Sequence, residues 1–139
     1  MLPICFVKAF DAGRTGLLDS IRNEAPSGYS DLLVRVLDSV SAHYDGDEDC
    51  DFDTGNIKSI SSGSYQGTLY FLVPTNGYSE SAYTARVGYG SCSHCDAFEA
   101  IQMSHDRYDD DGNECAPDDD ACEAYARLAL HIFQSLKKI

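Results

Sequence analysis

The sharpest hydrophobic pattern in the chain lies at 30–43. Leu32, Leu33, Val36, Leu37 and Val40 fall at i, i+1, i+4, i+5 and i+8, which draws one apolar stripe along a helix. Arg35, Asp38, Ser39 and Ala42 lie away from its centre. Ser30 is expected to cap this helix, with Asp31 in the first turn where the helix dipole favours a carboxylate. Upstream the pattern is weaker. "ICFVKAF" (4–10) reads as a short strand or buried segment, "GLLDSIRN" (16–23) as one or two helical turns, and "APSG" (25–28) as a break. Residues 1–29 therefore read as an irregular extension of a single domain spanning 1–139.

From residue 56 the period shifts to two. "NIKSI" (56–60) predicts a short strand, and "SSGS" (61–64) a turn. "YQGTLYFLV" (65–73) predicts a strand rich in aromatic and branched residues, apolar on both faces and hence central. Gly67 within it implies a bulge or the close approach of another group. After a loop at 74–81, "AYTARVGYG" (82–90) alternates: Tyr83, Ala85, Val87 and Tyr89 share one face, Thr84, Arg86 and Gly88 the other. A second helix is expected near 96–103 with Ala97, Phe98 and Ile101 inward. A last helix should open at Pro117, a tolerated first-turn position. Asp118, Asp119 and Asp120 would lie at its positive end, and Lys137 and Lys138 at its negative end. Tyr125, Leu128, Ala129, Ile132 and Leu136 form its stripe, widened by Leu130 and Phe133, with His131 at the boundary. The elements together predict an α+β fold: a small antiparallel β-meander of three to four strands, with helices packed mainly on one face.

Charge narrows the partners. Twenty-three acids against ten bases give a net charge of −13, so direct nucleic-acid binding through phosphate contacts is not expected. The acidity serves solubility, or docking on a basic protein. Two acid-rich runs resemble calcium loops, but neither fits the EF-hand register, which needs glycine at position 6 and glutamate at position 12. A loop begun at Asp45 puts Cys50 and Asn56 there, and one begun at Asp47 puts Phe52 and Lys58. Gly112 at position 6 makes Arg107 the first ligand. Both runs read as solvated loops.

"MLPICFVKAF" has no basic leader, Lys8 interrupts its apolar run, and no stretch reaches the roughly 18–20 apolar residues of a membrane span. The expectation is a soluble protein of the cytoplasm, with no membrane partner. Six cysteines at 5, 50, 92, 95, 115 and 122 then read as thiols or metal ligands rather than bridges, Cys5 as a core residue.

The chemistry concentrates in "GYGSCSHCDAFEA" (88–100), a glycine-rich junction between strand and helix. One reading is a tight corner whose serines and cysteines satisfy the backbone, with Asp96 capping the helix. A second is an anion site: Gly90, Ser91, Cys92, Ser93 and Asp96 at a helix start, with Tyr65, Gln66 and Tyr89 lining a small pocket beside it. A third is zinc, for which Cys92 and Cys95 supply half a tetrahedral site and Cys115, Cys122, His94 or His105 the rest. A fourth is a CxxC thiol enzyme. No cofactor is expected under the first two readings.

Three separated stretches, "SYQGTLYFLV" (64–73), "ARVGYGSCSHCDAFEAI" (85–101) and "LALHIFQSLK" (128–137), resemble a family of small uncharacterised proteins of tailed-bacteriophage genomes. The family shows the same order of a YQGT strand, a YGSCSxCD turn and a closing LALHIxQxLK helix. It supplies no activity. The resemblance implies a phage accessory protein in the host cytoplasm, working by binding rather than catalysis. Its target would be a basic host protein or a small anionic signal molecule, as in an inhibitor of host defence. A zinc-stabilised interaction module and a thiol enzyme are the alternatives.

Overall fold

A helical hairpin opens the chain in the computed structural model, which describes residues 4–43, 52–62, 67–76, 82–89, 96–104, 110–113 and 116–138. Helix α1 (Ile4–Asn23) is continuous, not a strand followed by isolated turns, and it belongs to the core rather than to an irregular extension. Ala9, Phe10, Gly13, Leu17 and Ile21 are its buried positions, a helical period interrupted only in side-chain size. Gly13 lies where α2 (Tyr29–His43) crosses: a Cβ there would lie 2.1 Å from Ser39 Oγ. Ser39 uses that proximity, its hydroxyl donating to the Gly13 carbonyl at 3.2 Å.

Helix α2 starts at Tyr29, one residue before the expected cap. The Leu32 N–H bonds the Gly28 carbonyl at 3.1 Å, and the Asp31 carboxylate reaches back to accept from the Ser27 N–H at 3.0 Å. The stripe itself is as expected, Leu32, Leu33, Val36, Leu37 and Val40 all being 0% exposed.

Strands β1 (Lys58–Ser62), β2 (Gly67–Pro74) and β3 (Ala82–Tyr89) form the meander, and β4 (Lys137–Lys138) completes the order β1-β2-β3-β4, antiparallel throughout. A 3₁₀ turn (Thr54–Asn56) and a bridge between Phe52 and Thr75 lead into β1. Helix α3 (Ala97–Met103) buries Phe98 and Ile101, while Ala97, expected inward, faces solvent. Helix α4 (Asp119–Gln134) is capped by Asp118, whose carboxylate accepts from the Ala121 N–H at 2.7 Å. Pro117 therefore precedes the cap instead of occupying the first turn, and it is buried. Lys137 and Lys138 leave the helix end to pair with Thr84 and Tyr83.

Helices α1, α2 and α4 pack on one another, α3 packs on α4, and α4 reaches β3. Helices α1 and α4 run antiparallel: Phe10 stacks near Phe133 at 6.4 Å, Arg14 pairs with Glu123, and Arg22 meets Asp119 at 3.1 Å. This layer covers one face of the sheet, where Phe71, Val73, Tyr83 and Ala85 are buried and Leu69 and Val87 pack against the core. β2 is central in its hydrogen bonding, as expected, yet its other face is open. Ile60, Tyr70 and Leu72 are 72%, 47% and 40% exposed. The second apolar face of β2 thus belongs to the surface.

Candidate functional site

Of the residues expected at the anion site, Asp96 and Tyr89 are described, and both are engaged within the protein. Asp96 Oδ1 accepts from the N–H groups of Phe98 (3.1 Å) and Glu99 (3.2 Å) and from the Tyr29 hydroxyl (2.5 Å). The Tyr29 oxygen accepts in turn from the Phe98 N–H at 3.0 Å. The opening amides of α3 are thus satisfied from within, and a carboxylate already supplies the negative charge they favour. Rings complete the anchor: Phe98 packs between Tyr29 (5.3 Å) and Tyr125 (5.4 Å). Burial, reinforced by the bond to Asp96, pushes the Tyr29 phenol well above its ordinary pKa. Asp96 is a cap, as one reading of the turn required.

Tyr89 is also structural. It stands opposite Gly67 in the β2–β3 register, and its hydroxyl donates to the Ser62 carbonyl of β1 at 2.7 Å. Gly67 makes the crossing feasible: a Cβ there would lie 1.6 Å from that same carbonyl oxygen. The close approach expected at Gly67 is therefore present. Tyr65, Gln66, Gly90, Ser91, Cys92, Ser93 and Cys95, along with His94, His105 and Cys115, lie outside the described residues. Cys122 is described, and it is a core residue. The side chain is 0% exposed in the core, its thiol directed at the Pro117 carbonyl at 3.7 Å, and burial raises its pKa. Among the described residues no cluster of three or more His, Cys, Asp or Glu is placed to hold a metal ion.

The feature missed in the sequence is on the open face of the sheet. Directly opposed residues of antiparallel strands share a face, so the register gives two rows: Ile60–Tyr70–Arg86, and Lys58–Leu72–Thr84–Lys137. The apolar members lie on β1 and β2, with Lys58 at the outer edge on β1, while Arg86 and Lys137 lie on β3 and β4. No described residue on this face is acidic, in a chain of net charge −13. Among the described residues β4 pairs with Tyr83 and Thr84 and not with Ala85, so the sheet is notched beside Ala85. There a cavity of about 320 Å³ is lined by Tyr70, Thr84, Ala85, Arg86, Ser135 and Lys137.

Two cationic residues and three hydroxyl-bearing ones thus line one concave site, within the size range of small-molecule pockets, which starts near 300 Å³. Neither cation joins an ion pair among the described residues. The end of α4 does not oppose an anion with bare carbonyls. Those of His131, Ile132 and Phe133 are taken by the N–H groups of Ser135 and Leu136 and by the Ser135 hydroxyl. A sequence signal existed in Arg86, a cation in mid-strand on the polar face of an acidic chain. Lys137 carried none, because its place beside Arg86 depends on β4.

A second concavity of about 320 Å³ runs between α1 and α2, lined by Gly13, Gly16, Leu17, Arg35 and His43 among others. Its cation is committed: Arg35 binds Asp31 (3.0 Å) and the carbonyls of Glu24 (2.6 Å) and Ser20 (3.3 Å). This groove is a helix–helix contact.

Comparison with protein-family models, with curated proteins and with solved structures finds no match for the chain. Among the described residues, no helix is long and apolar enough to cross a membrane.

Proposed function

We propose that the chain is a tailed-phage accessory protein that acts by binding a small anionic molecule in the host cytoplasm, sequestering it from a host defence, and that it catalyses no reaction. The observation that carries the reading is the cavity at the β3–β4 notch, where Arg86 and Lys137 converge with the hydroxyls of Tyr70, Thr84 and Ser135. A guanidinium offers a planar fork of donors to phosphate or carboxylate oxygens, and the ammonium adds a second charge. The site proposed here is the open face rather than the 90–96 turn, while the class of ligand expected from the sequence stays the same. Binding a basic host protein gains no comparable support from the open face, where the charged groups are cations.

Isothermal titration with inorganic pyrophosphate and a panel of organic phosphates tests this. Binding by the wild type, weakened at least ~10-fold when Arg86 and Lys137 are both changed to Gln, is the expected result, ~10-fold corresponding to one charge-assisted hydrogen bond. Flat titrations across the whole panel would remove the reading.

A further inference from the structure

The distribution of charge and apolarity on the open face describes a ligand. Arg86 and Lys137 lie together on the β3–β4 side, and Ile60, Tyr70 and Leu72 lie on the β1–β2 side with a single cation, Lys58, at its outer strand; Tyr70 stands between Ile60 and Arg86 in one row. At a strand spacing of about 4.8 Å, Arg86 and Ile60 stand two strands, or roughly 10 Å, apart. A bare inorganic anion would use the notch and leave the strip wet. We propose that the ligand is a nucleoside phosphate, its phosphate held between Arg86 and Lys137 and its base laid on the Tyr70 ring. This deepens the anion-binding reading and rests on it.

Three observations converge. Tyr70 lines the cavity and is also part of the exposed strip, so one ring borders both halves of the site. Leu72 and Ile60 continue the apolar floor beyond it, giving a flat ring more surface than a single side chain offers. Thr84 adds a hydroxyl-bearing side chain to the cationic end, where sugar and phosphate oxygens would sit, and the Ser135 oxygen, whose proton goes to the Ile132 carbonyl, can accept from a sugar hydroxyl. Base stacking on an aromatic side chain contributes a factor of roughly 10 to 100 in affinity. A second copy of the chain is the less suited occupant, since apposing two such faces brings two more cations, Arg86 and Lys137 of the other copy, to the surface.

The test compares adenosine 5′-monophosphate, ribose 5-phosphate and 4-hydroxybenzoate by calorimetry on wild type, Tyr70→Ala and Tyr70→Phe. Circular dichroism verifies folding, and sedimentation gives the oligomeric state. Expected is at least ~10-fold tighter binding of the nucleotide than of the sugar phosphate, a gap erased by Tyr70→Ala and kept by Tyr70→Phe, with ribose 5-phosphate unaffected. Equal binding of nucleotide and sugar phosphate would overturn the nucleoside proposal while leaving the anion site standing. Preference for the aromatic carboxylate would overturn it too, as would a dimer that Tyr70→Ala dissociates. No binding of any probe would remove the anion site and this proposal together.

Discussion

Tyr29 shows how a single residue can decide what a neighbouring segment does. Its hydroxyl joins the start of α2 to the start of α3 through Asp96 and the Phe98 N–H, inside a cluster of three rings. Removing that hydroxyl in Tyr29→Phe should cost about 1–2 kcal/mol, the worth of a bond to a charged group in a half-buried site. The effect depends on pH with a definite sign. Burial raises the phenol pKa in the folded state, so the unfolded chain releases the proton first. The hydroxyl's contribution is complete below the ordinary tyrosine value of about 10 and is lost as pH rises through the folded value. Urea melts should therefore show a gap between wild type and Tyr29→Phe that is constant near neutrality and shrinks above about pH 10. A gap independent of pH would contradict the assignment. At this scale the sequence was only partly informative. Asp96 could be read as a cap because capping is local, two or three residues long. Its third partner, Tyr29, lies 67 residues away, and no spacing rule reaches that far.

Elements were legible where their side chains repeat and illegible where glycine breaks the repeat. Helix α2 and strand β3 follow their periods closely, and the structure returns the expected faces. Helix α1 was hidden because Gly13 and Gly16 interrupt the repeat of its side chains. Gly13 is in fact a member of the buried stripe, small because α2 passes over it, whereas Gly16 faces open space. The two-residue strand β4 could not be seen either, since it exists only through its pairing with Tyr83 and Thr84. These differences predict opposite outcomes for the same substitution. Gly16→Ala should stabilise by about 0.5–1 kcal/mol, because it removes backbone freedom from the unfolded chain and meets no neighbour. Gly67→Ala would drive a methyl into the Ser62 carbonyl, displacing the Tyr89 hydroxyl bond and costing upwards of about 2 kcal/mol. Thermal melts of the two variants should move in opposite directions; a Gly67→Ala protein as stable as wild type would show that β1 is held in some other way.

At the scale of the molecule, the surplus of acid works against compactness. With 23 acids and 10 bases, self-repulsion exceeds what a few exposed ion pairs return. Raising salt from about 0.02 to about 0.5 M shortens the screening length severalfold, so the midpoint of thermal unfolding should rise by a few degrees. A fall would mean that the pairs of Arg14 with Glu123 and Arg22 with Asp119 dominate instead. The α+β layering was legible because burial is one-sided in α2, β3 and α4. The uncovered side of the sheet was not, because an apolar residue bound for the surface looks the same in sequence as one bound for the core. Folding is secured from the helical side alone. The outer positions 60, 70, 72 and 86 are thus relieved of any scaffolding duty, and substitutions there alter the chemistry of the surface while the framework beneath stays intact. A face built this way can be rewritten one side chain at a time, without the chain first having to relearn how to fold.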